Sequence, residues 1–109
     1  MQFLYTSGTT SAPKAAMMTH RALIAEYDGC IKMLDTRAED LFLCALPLYH
    51  SAAMHVFLMP QLLVGGTSII IAGPQPEVVF KLIEQHRVAS FFAPPTAWIA
   101  LLRHPDFDR

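Results

Sequence analysis

Charged side chains are unusually few in this 109-residue chain. Asp, Glu, Lys and Arg make up 16% of it and apolar residues 53%, where typical globular domains carry roughly 25% charge. None of the four occurs anywhere from Leu41 through Pro76. A run of that kind raises the possibility of a membrane span, which needs about 20 unbroken apolar residues. Pro47, His50, His55, Pro60, Gly65 and Gly66 interrupt it, which argues against a span. Strands buried on both faces and covered by helices, as in a parallel α/β sheet, account for it better. A net charge of −1 leaves no basic footprint for nucleic acid. Cysteine is equally sparse. Cys30 and Cys44 lack metal-ligand spacing and sit in apolar patterns, so both are expected as buried, reduced thiols of a cytoplasmic protein. There is no basic segment followed by a long apolar one, hence no signal peptide. The length fits one domain. The shortage of polar surface, and a strand that follows Met1 at once, predict that residues 1–109 are a single partial domain cut from a larger one. Its uncovered apolar faces and sheet edges favour self-association.

What the chain does have is concentrated near its start. Phe3–Tyr5, an apolar strand joined by Thr6, stops abruptly at TSGTTS, and Pro13, Lys14 and a segment read as helical follow. Strand, hydroxyl- and glycine-rich loop, lone cation and helix make a phosphate-binding turn. Backbone N–H groups and hydroxyls donate, glycine admits a close anion, and lysine adds a point charge. It is not a Walker A loop, which needs Gly before the lysine and Ser or Thr after it; Pro13 and Ala15 stand there.

Beyond it the pattern alternates. Thr19 can cap a helix whose apolar face is Leu23, Ile24, Tyr27, Cys30, Ile31 and Leu34. Leu41–Leu46 reads as a second strand, ended by Pro47. Ser51 can cap a helix over about Ala52–Val64, bent by Pro60 and stopped at Gly65-Gly66. Thr67–Ala72 is a third strand and Glu77–His86 a third helix, with Pro76 suited to its first position. Val88–Ala93 is a fourth strand, and Thr96 caps a last helix containing Trp98. The fold class expected is therefore α/β: four successive β-α units forming a parallel sheet flanked by helices. Ligands in such sheets sit beyond the carboxyl ends of the strands, where the loops Thr6–Lys14, Pro47–Ser51 and Pro94–Thr96 would meet.

Three motifs carry a resemblance. They are YTSGTT-x-x-PK from Tyr5 to Lys14, LPLYH from Leu46 to His50, and GGTSIII, PEVVFKLIEQHRV and PPT between Gly65 and Thr96. In these the chain resembles a central piece of the large N-terminal domain of the adenylate-forming superfamily: acyl-CoA synthetases, luciferases and the adenylation domains of peptide synthetases. The resemblance implies a two-step reaction. A carboxylate attacks the α-phosphate of ATP, releasing pyrophosphate, and a thiol then displaces AMP. It implies that Thr6, Ser7, Thr9 and Thr10 donate to the ATP phosphates. Gly8 would let the backbone approach, Lys14 would offset charge on the leaving pyrophosphate, and His50 would gate the acyl and thiol sites. It implies ATP, coenzyme A and Mg²⁺ as cofactors, with the Mg²⁺ ligand, the ribose Asp and the catalytic lysine outside this chain. Gly8-Thr9-Thr10 favours a coenzyme A ligase. LPLYH, with Met54, Val56 and Phe57, is most similar to fatty-acid ligases. Two positions depart from the family's glycines: Ser11, and Ala15 at the start of the expected helical run.

Blander readings stand beside these. Thr6–Lys14 could serve as a solvated helix-capping turn, and His50 as a satisfied loop histidine. His50 and His55 lie five apart, not the four that aligns two ligands on a helix face, so no metal site is expected. Two alternatives stay open for the whole: a non-catalytic nucleotide- or phosphate-binding module, and a peptide-synthetase-type adenylation domain.

Overall fold

The computed structural model describes residues 1–6 and 13–107. β1 (Gln2–Thr6) and β2 (Lys14–Met18) form an antiparallel hairpin, in register from Gln2 opposite Met18 to Thr6 opposite Lys14. The expected helical run from Lys14 is thus a strand, and Ala15 pairs with Tyr5. Alanine's helix propensity is worth only tenths of a kcal/mol per residue and yields to a complete ladder of strand hydrogen bonds. The helix begins only after Thr19. There Thr19 Oγ1 accepts from the Ala22 N–H at 3.2 Å and caps α1 (His20–Leu34), as expected.

The parallel sheet is present with three strands rather than four. β3 (Leu41–Cys44) lies centrally, β4 (Thr67–Ile70) on one side and β5 (Ser90–Phe91) on the other. The first strand is not part of it and pairs with β2 instead. The regular strands are shorter than the apolar runs, although the Ile71 N–H still donates to the Cys44 carbonyl and the Ala89 N–H to that of Leu41, both at 2.9 Å.

The sheet is covered on both faces, which explains its near-continuous apolar runs. Successive side chains of a strand point to opposite faces. Phe42 and Cys44 pack with Ala53, Phe57 and Phe92, whereas Leu43 packs with Val79 and Leu101. The first face is closed by α1 and by the helical stretch after β3; the second by α3 (Pro76–His86) and α4 (Pro95–Leu102). Phe91 and Phe92 split between them: Phe91 meets Trp98 edge-on at 5.4 Å, and Phe92 stacks on Phe57 at 4.5 Å.

The second helix is not uniformly α-helical. Ala52–Leu58 winds as a π-helix, with the Met59 N–H reaching back five residues to the Met54 carbonyl, before α2 (Met59–Leu63) resumes. Pro60 supplies no N–H, so the preceding turns lose one i→i−4 bond. Instead of the expected kink the chain inserts a wider turn. Gly65, at φ 81°, and Gly66 end the helix as expected. α4 starts on Pro94 and Pro95 with no side-chain cap, so the capping role expected of Thr96 is unfilled. No helix among the described residues is long and apolar enough to cross a membrane.

Candidate functional site

β3 and β5 are adjacent and parallel, yet their outgoing chains turn to opposite faces of the sheet. From β3 the chain enters the π-helix on the Phe42 side. From β5 it enters α4 on the Leu43 side. Connections diverging between neighbouring strands are the topology that places a ligand crevice at the carboxyl edge of open α/β sheets. Residues 45–51 and 92–95 border it. Their proximity is direct, since Leu46, Leu48 and Phe92 belong to one apolar cluster. Leu48 of the Pro47–Ser51 loop thus packs with Phe92, two residues before the Pro94–Thr96 loop, so these two of the three expected loops leave the same edge. In the third, residues 7–12, and so Ser7, Gly8, Thr9 and Thr10, lie outside the described residues. Its ends are adjacent because Thr6 pairs with Lys14, which is exposed.

His50 stands on the crevice rim, exposed, at the end of a turn in which its N–H donates to the Pro47 carbonyl at 3.0 Å. Its ring Nδ1 accepts the Ala52 N–H at 3.3 Å, and its carbonyl accepts that of Met54 at 3.2 Å. His50, not Ser51, therefore caps the helix: Ser51 already has helical φ/ψ and makes no side-chain cap bond. A neutral ring that accepts through Nδ1 carries its proton on Nε2.

Behind that turn lie two buried polar residues whose importance the sequence alone did not reveal. His55, 5% exposed, meets Tyr27 of α1: the Tyr27 hydroxyl is 2.7 Å from His55 Nδ1, and the rings stack 5.9 Å apart. Burial, reinforced by the negative charge of Glu26, raises the Tyr27 pKa. The phenol therefore stays protonated, and the pair shares one proton between hydroxyl and Nδ1 whichever imidazole tautomer is present. Gln61, 2% exposed, donates from Nε2 to the Asp40 carbonyl at 2.6 Å, tying α2 to the residue before β3. Tyr27 read only as one member of an apolar face. The signal for His55 was a histidine at an inward position of an amphipathic helix.

The other histidines take helix-end roles. His104 Nε2 lies 3.2 Å from Glu77 Oε1, linking the end of α4 to the first turn of α3. Of the two thiols expected to be buried, Cys44 is and Cys30, on the α1 surface, is only partly so; burial raises the pKa of both, with Glu26 adding to it at Cys30. Among the described residues no group of three or more His, Cys, Asp or Glu is placed to hold a metal ion. Two concavities lie away from the crevice: one of about 150 Å³ at the amino edge of the sheet, beside Phe42, Phe57 and Ser90, and an open groove along α3.

A family model described as AMP-binding enzyme matches residues 1–109. The chain belongs to the AMP-binding enzyme family. A feruloyl-CoA synthase from an Amycolatopsis species is 38% identical over 102 residues, covering 94% of this chain and 21% of that protein. A long-chain-fatty-acid–CoA ligase of Bacillus subtilis (strain 168) is 31% identical, covering 95% and 19%. Among solved structures, ATP-bound MatB from Rhodopseudomonas palustris superposes with a TM-score of 0.84 at 29% identity, covering 94% of this chain and 20% of that one. The inhibitor-bound N-terminal domain of FACL13 from Mycobacterium tuberculosis gives 0.86 at 30% identity, covering 98% and 27%. The chain thus spans about a fifth of the length of the curated relatives it matches. The α/β class and the relation to adenylate-forming N-terminal domains, both expected from the motifs, are borne out.

Proposed function

We propose that residues 1–109 are part of the adenylating domain of an ATP-dependent, AMP-forming acid–CoA ligase. The observation that carries this reading is the AMP-binding family match over the whole chain, and the crevice between β3 and β5 is where its chemistry would be sited. In the first step the acid's carboxylate attacks the α-phosphate and pyrophosphate leaves. In the second the thiol of coenzyme A attacks the acyl carbonyl and AMP leaves.

Within that reading each expected site residue keeps a role. Thr6, Ser7, Thr9 and Thr10 donate to the β- and γ-phosphates, and Gly8 lets the backbone come close. Lys14, at the closing pair of the hairpin, offsets charge as the pyrophosphate departs. The pairing of Thr6 with Lys14 supports this, because it brings both ends of the hydroxyl-rich loop together. His50, exposed at the carboxyl edge of the sheet, gates passage between the acid and the thiol. Mg²⁺ would be held by an acidic ligand outside this chain and would supply positive charge to offset that of the ATP phosphates. The two free thiols are in keeping with a cytoplasmic enzyme.

The substrate is an apolar carboxylic acid. Met54, Val56 and Phe57, on the π-helix that follows His50, are the apolar residues in which the chain is most similar to fatty-acid ligases, and the relatives named above include enzymes for an aromatic acid and for long-chain fatty acids. The full-length protein, given ATP, coenzyme A and a panel running from ferulate to long-chain fatty acids, should release pyrophosphate in an acid-dependent manner. No release with any acid would sink the reading and leave the non-catalytic nucleotide-binding module. Release driven only by amino acids would favour a peptide-synthetase-type domain.

A further inference from the structure

The buried Tyr27–His55 pair is used by none of the steps above. The two residues are 28 apart in sequence, sit on different elements, and form the one hydrogen bond between two buried side chains among the described residues. Their position is specific. His55 lies in the middle of Ala52–Leu58, the only π-helical stretch among the described residues, and π-turns persist where a side chain must be aimed. With the wider turn, Ala53 and Phe57 face the Phe42 side of the sheet while His55 meets Tyr27 on α1.

His50 hangs on the same stretch. Its Nδ1 and its carbonyl hold the Ala52 and Met54 N–H groups, the first donors of that helix. Any rotation or slip of the π-turns moves these donors and with them the imidazole at the crevice. The Phe42–Phe57–Phe92 stack resists translation but is non-directional. The Tyr27 hydroxyl, aimed at a single nitrogen, is the directional restraint.

We infer that Tyr27 and His55 are positioning residues: their hydrogen bond fixes the register of the π-helix and so the orientation of His50 at the carboxyl edge of the sheet. The inference rests on the ligase reading for its catalytic consequence and on the fold alone for its structural one. Two measurements on the full-length protein separate these. The first is a double-mutant cycle on thioester formation. Tyr27→Phe keeps the stacked ring and removes only the hydroxyl. It should lower kcat by about fivefold, the change expected for one lost neutral hydrogen bond, and leave KM for ATP unaltered. In a His50→Ala background the same substitution should cause no further loss, because its effect passes through His50. His55→Asn, which keeps an acceptor near the Nδ1 position, should retain more activity than His55→Leu. Equal losses of Tyr27→Phe in both backgrounds, or no loss in either, would overturn the inference.

The second measurement is hydrogen exchange of the peptide spanning residues 47–58, read by mass spectrometry, which needs no activity. Tyr27→Phe should exchange there at least about fivefold faster than wild type, by the same hydrogen-bond argument, with peptides of α3 unchanged. Unchanged exchange at 47–58 would also overturn the inference. If the wild-type protein releases no pyrophosphate with any acid, the ligase reading falls and the exchange result alone decides whether the pair sets the register.

Discussion

Lys14 shows how much one residue's meaning depends on its element. At the head of a helix it would sit beside that helix's N–H groups. As the first residue of β2, opposite Thr6, it stands where the hydroxyl-rich loop returns to its start. Under the proposed ligase reading, a cation there would stabilise the leaving pyrophosphate more than bound ATP, because charge accumulates on the leaving group in the transition state. Lys14→Ala in the full-length enzyme should slow acid-dependent pyrophosphate release at least tenfold, about 1.4 kcal/mol of transition-state stabilisation. Lys14→Arg should recover part of it. An unchanged Lys14→Ala rate would remove the residue from this role. Glu77 makes a separate prediction, about stability. Its pKa is lowered first by its own backbone N–H at the start of α3 and then by His104. A carboxylate with a depressed folded-state pKa stabilises the fold above its unfolded pKa and loses that effect as pH falls through the folded value. The stability difference between wild type and Glu77→Gln should therefore be present at neutral pH and vanish on acidification. A difference that persists well below the carboxylate range would contradict it.

Elements were legible where hydrophobic period and end signals agreed. Thr19, Pro76 and Gly65-Gly66 mark real boundaries because each acts locally, through a hydroxyl acceptor, a preset φ or a positive φ. β2 was not legible, because KAAMM carries alanine's helix preference and its strand state comes from pairing with β1, which no local pattern announces. The π-helix was half legible. Pro60 predicts a disturbance, but only Tyr27 and the phenylalanine stack decide that it becomes a wider turn rather than a kink. Likewise LPLYH located His50, whereas the capping job of its Nδ1 depends on ring geometry. Gly66 offers a test at this scale. A Cβ there would fall 2.0 Å from Gln61 Nε2, and Gln61 is buried and bonded to the Asp40 carbonyl. Gly66→Ala must displace that amide and strand two buried polar groups. A loss of about 1–3 kcal/mol follows, measurable as a lower urea midpoint. Gln61→Leu, which removes the clashing amide, should suffer less from adding Gly66→Ala than wild type does.

At the scale of the whole molecule, the fold is closed on the two faces of β3 and open elsewhere. The hairpin forms a sheet of its own whose Phe3, Tyr5 and Met17 are exposed, Tyr5 to 72%. α4 exposes Trp98, Ile99 and Leu102, and Ile24, Met33 and Leu34 are exposed on α1. β4 and β5 each have one unpaired edge within the three-stranded sheet. Parallel strands are ordinarily covered on both sides and flanked by further strands, and exposed edges recruit other chains. The relatives are about five times longer, so other segments of a full-length protein have ample length to cover these surfaces. Deprived of such cover, the 109-residue chain should associate. Light scattering on the isolated chain should give a mass well above its 12.1 kDa monomer, rising with concentration. Replacing Tyr5 and Ile99, on separate surfaces, by Ser should each lower that mass without changing far-ultraviolet circular dichroism, since neither belongs to the buried clusters. The full-length protein should bind a hydrophobic dye far more weakly per mole than the isolated chain. A monomeric, dye-silent isolated chain would show that the exposed apolar surface is stable in water without the rest of the protein.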